Sequence, residues 1–306
     1  MSSSDSSDNS KNQCKLLNTF PEHINNQTIP NELVHNIENY LPGLLTNVNC
    51  HLIVEKYLSN NENKQQIIKE YGEINNWEVQ NVTNMSNLFC DCDTFNDNIS
   101  NWDVSNVTSM TNMFANAYSF NQPINNWNVS KVTSMTYMFN NARSFNQSID
   151  TWTVINVTDM NNMFDTATDF NQSIDNWNIY KVDNMTKMFH NAKSFNQPIN
   201  QWKIHNVKNM THMFQNATSF NQSINNWNVR NVTNMNGMFE NATSFNQPLN
   251  NWNVSNVTNM NGMFYGAQSF NQPLNNWKIS DKTNINDIFM DASSYNQPFN
   301  ETLPFR

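Results

Sequence analysis

The sequence predicts an α/β repeat solenoid of nine 25-residue coils, and three observations carry that reading. Trp occurs at 77, 102, 127, 152, 177, 202, 227, 252 and 277, always 25 residues apart with no insertion. A fixed period between 20 and 50 residues marks stacked units that each touch their neighbours. Around every Trp the same apolar pattern returns, as in "SFNQPLNNWNVSNVTNMNGMF" at 244–264. Finally, aromatics make up 12% of a chain that is only 13% charged, and every Trp falls inside the repeats. That payload argues against disorder.

Within one coil, Leu249, Trp252 and Val254 give L-x-x-W-x-V. The period-two alternation predicts a short strand with Trp and Val inward. Met260, Met263, Phe264 and Ala267 follow at i, i+3, i+4 and i+7, which predicts a helix of two or three turns with Thr258 as its N-cap. Gly237 and Gly262 would sit inside such helices at about 1 kcal/mol each, so those copies are expected to be frayed or 3₁₀-like. Phe245 and the Asn-Gln after it mark the return loop.

One coil sends about nine apolar groups inward, on the order of 15–25 kcal/mol gross at roughly 1.5–3 kcal/mol for each large side chain. Ordering its backbone costs about 1–2 kcal/mol per residue, which is as large or larger. A lone coil cannot fold. Stacking in register, with strands paired in a parallel ladder, is what gives the short unit a core.

Two polar columns repeat as faithfully as the apolar ones. Asn stands at 96, 121, 146, 171, 196, 221, 246, 271 and 296, and the next residue is Gln in every copy except Asp97. Such a row of amides could bind a sugar or ice. It could equally satisfy buried backbone groups at each turn, and its invariance through the end copies favours this structural role.

The unit W-x-V-x-x-V-x-x-M-x-x-M-F-x-x-A-x-x-F-N-Q resembles the repeat of the BspA-like leucine-rich-repeat family. The resemblance covers residues 74 to about 300 in nine ungapped copies. It implies a leucine-rich-repeat-like solenoid used in adhesion or protein binding, with no catalytic role for the repeat.

Upstream, residues 1–18 read as a disordered tail and 19–73 as a helical segment, with the solenoid occupying 74–306. In "IPNELVHNIENYLP" (29–42), Pro30 lies near a helix start and Leu33, Val34, Ile37 and Leu41 share one face. Further helical patterns fall around 48–58 and 63–71. The stretch is similar to the first helix of an F-box through Ile29, Pro30, Glu32, Leu33, Ile37, Tyr40 and Leu41. That similarity implies docking to a Skp1-type ubiquitin-ligase adaptor through residues 29–58, with the solenoid choosing the substrate. The alternative is a helical cap over the first coil, which a solenoid needs in any case.

Net charge of −9 and a pI near 5 speak against a nucleic-acid partner. No apolar run approaches the ~18 residues of a membrane span. "MSSSDSSDNSKNQ" has neither the basic nor the apolar region of a signal peptide, so an intracellular, cytoplasmic protein is expected. Cys14, Cys50, Cys90 and Cys92 are accordingly read as free thiols. A zinc site from Cys50, His51, Cys90 and Cys92 is disfavoured, because Cys-x-Cys lacks the usual knuckle spacing. No metal or cofactor is expected.

Nor is catalysis. The chain has no nucleophile elbow, Gly-rich phosphate loop or H-E-x-x-H. His190, His205 and His212 occupy variable columns read as solvent-facing, and Asp150 and Asp175, which share a column, are read as solvated rungs. Functional residues should instead occupy columns that the fold leaves free. The column after Val reads Gln80, Ser105, Ser130, Ile155, Tyr180, His205, Arg230, Ser255, Ser280, and the column before Val carries Thr153, Asn178, Lys203 and Asn228 over the same middle coils. Large, varied side chains on adjacent rungs resemble a binding patch. The expected function is a non-catalytic protein-interaction module whose partner the sequence does not name. The rival readings are an F-box-like substrate adaptor and a surface adhesin.

Overall fold

The computed structural model describes residues 44–299. The tail over 1–18 and the F-box-like helix over 29–42 lie outside the described residues. A short strand β1 (Leu44–Thr46) leads into helices α1 (Cys50–Ser59) and α2 (Asn61–Tyr71), a 3₁₀ turn at Ile74–Asn76 and strand β2 (Glu78–Asn81). β1 pairs parallel to β2, with Leu44 opposite Glu78 and Thr46 opposite Asn81. Beyond β2 the chain winds as a repeat solenoid, joined coil to coil by parallel bridges from Asn84–Ser109 to Asn259–Asn284.

The predicted helix does not form. In its place the segment turns twice through left-handed backbone, at Asn87 (φ 64°) and Asp91 (φ 60°) in the first coil and at the equivalent positions of later ones. Non-glycine residues reach this region at a cost that is smallest for Asn and Asp, and two such residues in five end any α-helix. The amides of Met85, Asn87, Phe89 and Asp91 donate instead to the carbonyls of Ser109, Thr111, Met113 and Ala115 in the next coil, at 3.0, 2.9, 2.9 and 2.8 Å. Met and Phe still face inward as a helix would have placed them, so the i, i+3, i+4 spacing is real but arises from tight turns.

Two smaller expectations fall with the helix. Thr258 is no N-cap: its amide and hydroxyl both donate to the Thr233 carbonyl of the preceding coil, at 2.8 and 3.1 Å. Gly237 and Gly262 are not weak points of helices but occupy left-handed positions (φ 57° and 59°), where glycine is at ease. The strand expectation holds in the first coil, as β2. In later coils the Trp-x-Val segment keeps its alternation, with Trp152 and Val154 buried and Thr153 and Ile155 exposed. The inter-coil bridges sit a few residues further on, past a turn in which the second Val donates to the first, as Val107 does to Val104 at 2.9 Å.

The core is a set of side-chain columns running the length of the solenoid. From the second coil on, each indole donates to the Ile or Leu carbonyl of the coil before it: Trp102 to Ile74 at 2.7 Å, Trp177 to Ile149 at 3.1 Å, Trp277 to Leu249 at 3.0 Å. A buried indole N–H needs such a partner. Two Phe columns stack beside it. Phe164 and Phe170 lie 4.1 Å apart within one coil, and Phe164 and Phe189 lie 5.7 Å apart between coils.

At the N-terminal end, Tyr57 of α1 meets Trp77 edge-on at 5.3 Å, and Ile53, Val54 and Ile67 are buried in the same core. Asn47 accepts the amides of Thr83 and Asn84 and donates to the Thr83 hydroxyl, standing where a preceding coil would stand. Trp77, with no earlier coil to bond, donates to the Gly72 carbonyl at 3.0 Å. At the other end Phe299 packs edge-on against Phe289 at 4.9 Å.

Candidate functional site

The amide columns serve the fold. From Asn96 to Asn271, each Asn side-chain carbonyl accepts the backbone amide of the Asn one coil later and that coil's Gln side-chain NH₂. Asn171 does so for Asn196 at 3.0 Å and Gln197 at 3.1 Å. The row is internally satisfied, which removes its acceptors from any sugar or ice face.

The left-handed columns account for eight further Asn, at 87, 112, 116, 141, 162, 191, 216 and 241. These amides link coils too, as Asn112 does to Asn87 at 3.0 Å and Asn141 to Asn116 at 2.8 Å. A third column, at Asn106, Asn156, Asn206 and Asn256, donates to carbonyls of the preceding coil.

The outward face of the Trp-x-Val segment is open, and Tyr118 and Tyr137 on the turns are exposed as well. The structure puts Thr153, Ile155, Asn178, Tyr180, Lys203, Asn228 and Arg230 in solvent, with His205 half-buried between them. Tyr180 is 53% and Ile155 41% exposed, among the few large apolar side chains that are not covered. The Tyr180 and His205 rings meet at 65° with centroids 4.4 Å apart, so the pair forms one aromatic projection across two coils. Beneath it, Asn178 Oδ1 accepts the Tyr180 amide at 3.2 Å, and Asn228 does the same for Arg230 at 3.3 Å. These two Asn therefore hold the backbone of their neighbours as well as lining the face.

A shallow depression of about 540 Å³ opens on this face, lined by Ile155, Asp175, Asn178, Tyr180, Lys181 and Lys203, among others. Thr153 borders a second depression, toward Trp127 and Thr151. Asn228 and Arg230 lie beyond both. Lys181 is tethered to Asn156 Oδ1 at 2.8 Å, and Asp175 accepts the Gln201 amide at 3.0 Å. Asp175 is thus a rung residue with a backbone partner, and Asp150 accepts from the Ser148 hydroxyl at 2.7 Å.

Two of the three histidines differ from expectation. His190 is largely covered and bonds Asp165 at 2.7 Å, while His212 stands 3.8 Å from Glu240 with Nδ1 buried and unbonded among the described residues. Both lie on the left-handed turns, where side chains of successive coils close over one another, and not on the open face. Burial lowers the His212 pKa against the opposing pull of Glu240.

Among the described residues no group of three or more His, Cys, Asp or Glu is arranged to hold a metal. The Cys50 thiol is buried and pushed up to about 12. Cys92 is disulfide-bonded, which corrects the reading of free thiols throughout. Spacing along the chain does not show which sulfurs a fold brings within bonding distance. No helix among the described residues is long and apolar enough to cross a membrane.

These features define a repeat solenoid with a 25-residue period, an internally bonded Asn lattice and a varied outward face on its middle coils. The chain belongs to the family described as "Mycoplasma protein of unknown function, DUF285", whose model matches in three tandem stretches, 56–158, 147–236 and 222–302. Among curated proteins no match was found. Among solved structures, a crystal structure of a TLR13–ssRNA13 complex is similar at 11% identity, covering 80% of this chain and 55% of that one, with a TM-score of 0.17. The chain thus spans about half the length of that neighbour, and a superposition at that score does not define a shared fold.

Proposed function

We propose that the chain is a non-catalytic protein-binding solenoid of the leucine-rich-repeat-like, BspA-like kind, whose partner docks on the outward face of coils four to seven. One observation carries the reading: the exposed Tyr180–His205 pair, flanked by Lys203 and Arg230, on a face whose other rungs are small and polar. Outward side chains contribute little to folding, and a central cluster with Tyr and Arg has the composition of an interface hot spot. The depression is shallow and open, as suits a protein surface better than a small substrate. Pull-down from cell extract with wild type and with Tyr180→Ala plus Arg230→Ala tests it. A partner retained equally by both would remove this face from the proposal.

For the N-terminal segment we favour the cap. The apolar side of α1 (Ile53, Val54, Tyr57) is buried against the first coil, which leaves that face occupied. The adaptor reading needs a Skp1-type protein in the pull-down that is lost when residues 29–58 are altered. An intracellular location stays part of the proposal, whereas the adhesin reading requires a surface location. Localising the tagged protein decides between them.

A further inference from the structure

Charge is distributed unevenly along this acidic chain. Residues 144–175 contain five Asp and no Lys or Arg, whereas residues 176–239 contain six Lys or Arg and one acid, Asp183. Four of those six cations are exposed: Lys181 and Lys203 line the depression beside Tyr180, Arg230 stands in the Tyr180–His205 column one coil on, and Lys208 follows six residues after Trp202. Asp183 is engaged with Lys208 at 3.5 Å, and Lys181 is tethered to Asn156. Among the described residues neither Lys203 nor Arg230 has an ion-pair partner.

We infer that this basic belt is the docking surface for an acidic protein segment, a short run rich in Asp and Glu. The inference rests on the protein-binding reading above and names the chemistry of its partner. Adjacent rungs are about 4.8 Å apart, so the belt's three coils span about 10 Å along the axis. That is close to the ~8 Å Debye length at physiological salt. A short carboxylate-rich segment on the belt therefore meets Lys181, Lys203 and Arg230, with Asp175, which accepts the Gln201 amide, as the acid lining the depression, and is screened from the more distant acids of a chain of net charge −9. A long polyanion such as RNA would run off the belt onto the Asp-rich coils before it, where every added phosphate is repelled. The Tyr180 and His205 rings also pack on each other, which reduces the free ring surface for stacking bases. An apolar residue beside the carboxylates would fit the depression between Ile155 and Tyr180.

The test uses the full chain and a fluorescein-labelled four-residue glutamate peptide, about 13 Å long when extended, followed by anisotropy at low and physiological salt. Wild type should bind, with affinity falling as salt rises. Lys203→Glu with Arg230→Glu should weaken binding at least tenfold at unchanged melting temperature, while Lys278→Glu with Lys282→Glu, outside the belt, should stay within twofold. Lys203→Gln with Arg230→Gln gives the same readout should the Glu pair disturb folding. Absence of peptide binding, or equal loss in both pairs, overturns the inference. So does tighter binding of a ten-nucleotide single strand that the belt variant abolishes, which would make the face a nucleic-acid site. If the peptide fails while a pulled-down partner is still lost with Tyr180→Ala plus Arg230→Ala, the protein-binding reading stands and only the acidic partner falls.

Discussion

The Tyr57 hydroxyl donates to Asp97 Oδ2 at 2.8 Å, fastening α1 to the first coil at the one position where the Gln column is broken. Lys64 of α2 donates to the same oxygen at 2.8 Å and lies over the Tyr57 ring at 4.6 Å. The exception has a physical cause. A Gln at this position donates backward to the Asn of the preceding coil, and the first coil has none. An acceptor there serves the cap instead.

Tyr57→Phe should therefore cost about 1 kcal/mol, the worth of one hydrogen bond. Asp97→Gln should cost more, because it leaves the Tyr57 hydroxyl and the Lys64 ammonium without their shared carboxylate. Hydrogen exchange should show both losses first in residues 74–102. Loss spread evenly along the chain would mean that the cap is not held at this point.

Trp177 is 2% exposed, bonds Ile149 and stacks on Trp152 at 6.4 Å. Trp177→Ala should cost about 3–5 kcal/mol. Asn178→Ala, one residue on, should cost under about 1 kcal/mol, the bond to the Tyr180 amide being its chief loss. Equal melting shifts would contradict the assigned faces.

The inward columns were legible in the sequence because Trp, Val, Met and Phe are buried at the registers that their spacing gave. The open face was legible for the opposite reason, since its side chains vary where nothing beneath them does. The helix was misread because spacing of apolar residues cannot distinguish a helix from a chain of tight turns. The missed signal lay between them: Asn87, Asn112 and Asn162, and Asn116, Asn141 and Asn191, repeat at positions that a helix would leave to any residue. A column that exchanges Asn for Asp and Gly, as these do at Asp91, Gly237, Gly262 and Gly266, marks left-handed backbone, whereas the pure Asn column from 96 to 296 does not.

Gly237 and Gly262 share one such column but differ in surroundings. A Cβ on Gly237 would overlap the His212 ring, whereas one on Gly262 meets only the Tyr265 Cβ at 3.7 Å. Gly262→Ala should cost about 1 kcal/mol for its left-handed backbone. Gly237→Ala should cost about 1–3 kcal/mol more, as overpacking does. Combining it with His212→Asn should recover most of that difference. Similar melting of the two alanine variants would put His212 elsewhere.

His212 gives the stability a pH dependence. Its folded pKa lies below the ordinary value near 6.5, chiefly through burial, with Lys187 and His190 adding to the shift and Glu240 opposing it. The unfolded chain then binds the proton more readily, so this contribution is full above about pH 6.5 and is lost as pH falls below it. Melting followed from pH 8 to 5 should drop less steeply for His212→Asn than for wild type. Parallel profiles would contradict the burial.

The central claim is that the repeated columns fold the chain and the varied face binds. One preparation series tests it: wild type, Asn171→Ala, and Tyr180→Ala with Arg230→Ala, each measured for melting and for affinity to the partner recovered by pull-down. Asn171→Ala leaves the Asn196 amide unpaired and should cost about 1–3 kcal/mol, with affinity unchanged while the protein stays folded. The double variant should melt within about 0.5–1 kcal/mol of wild type, as surface changes do. It should bind about thirtyfold more weakly, roughly 2 kcal/mol. The reverse pattern, with affinity lost in Asn171→Ala at unchanged melting and kept in the double variant, would place the binding face on the amide ladder and contradict the account.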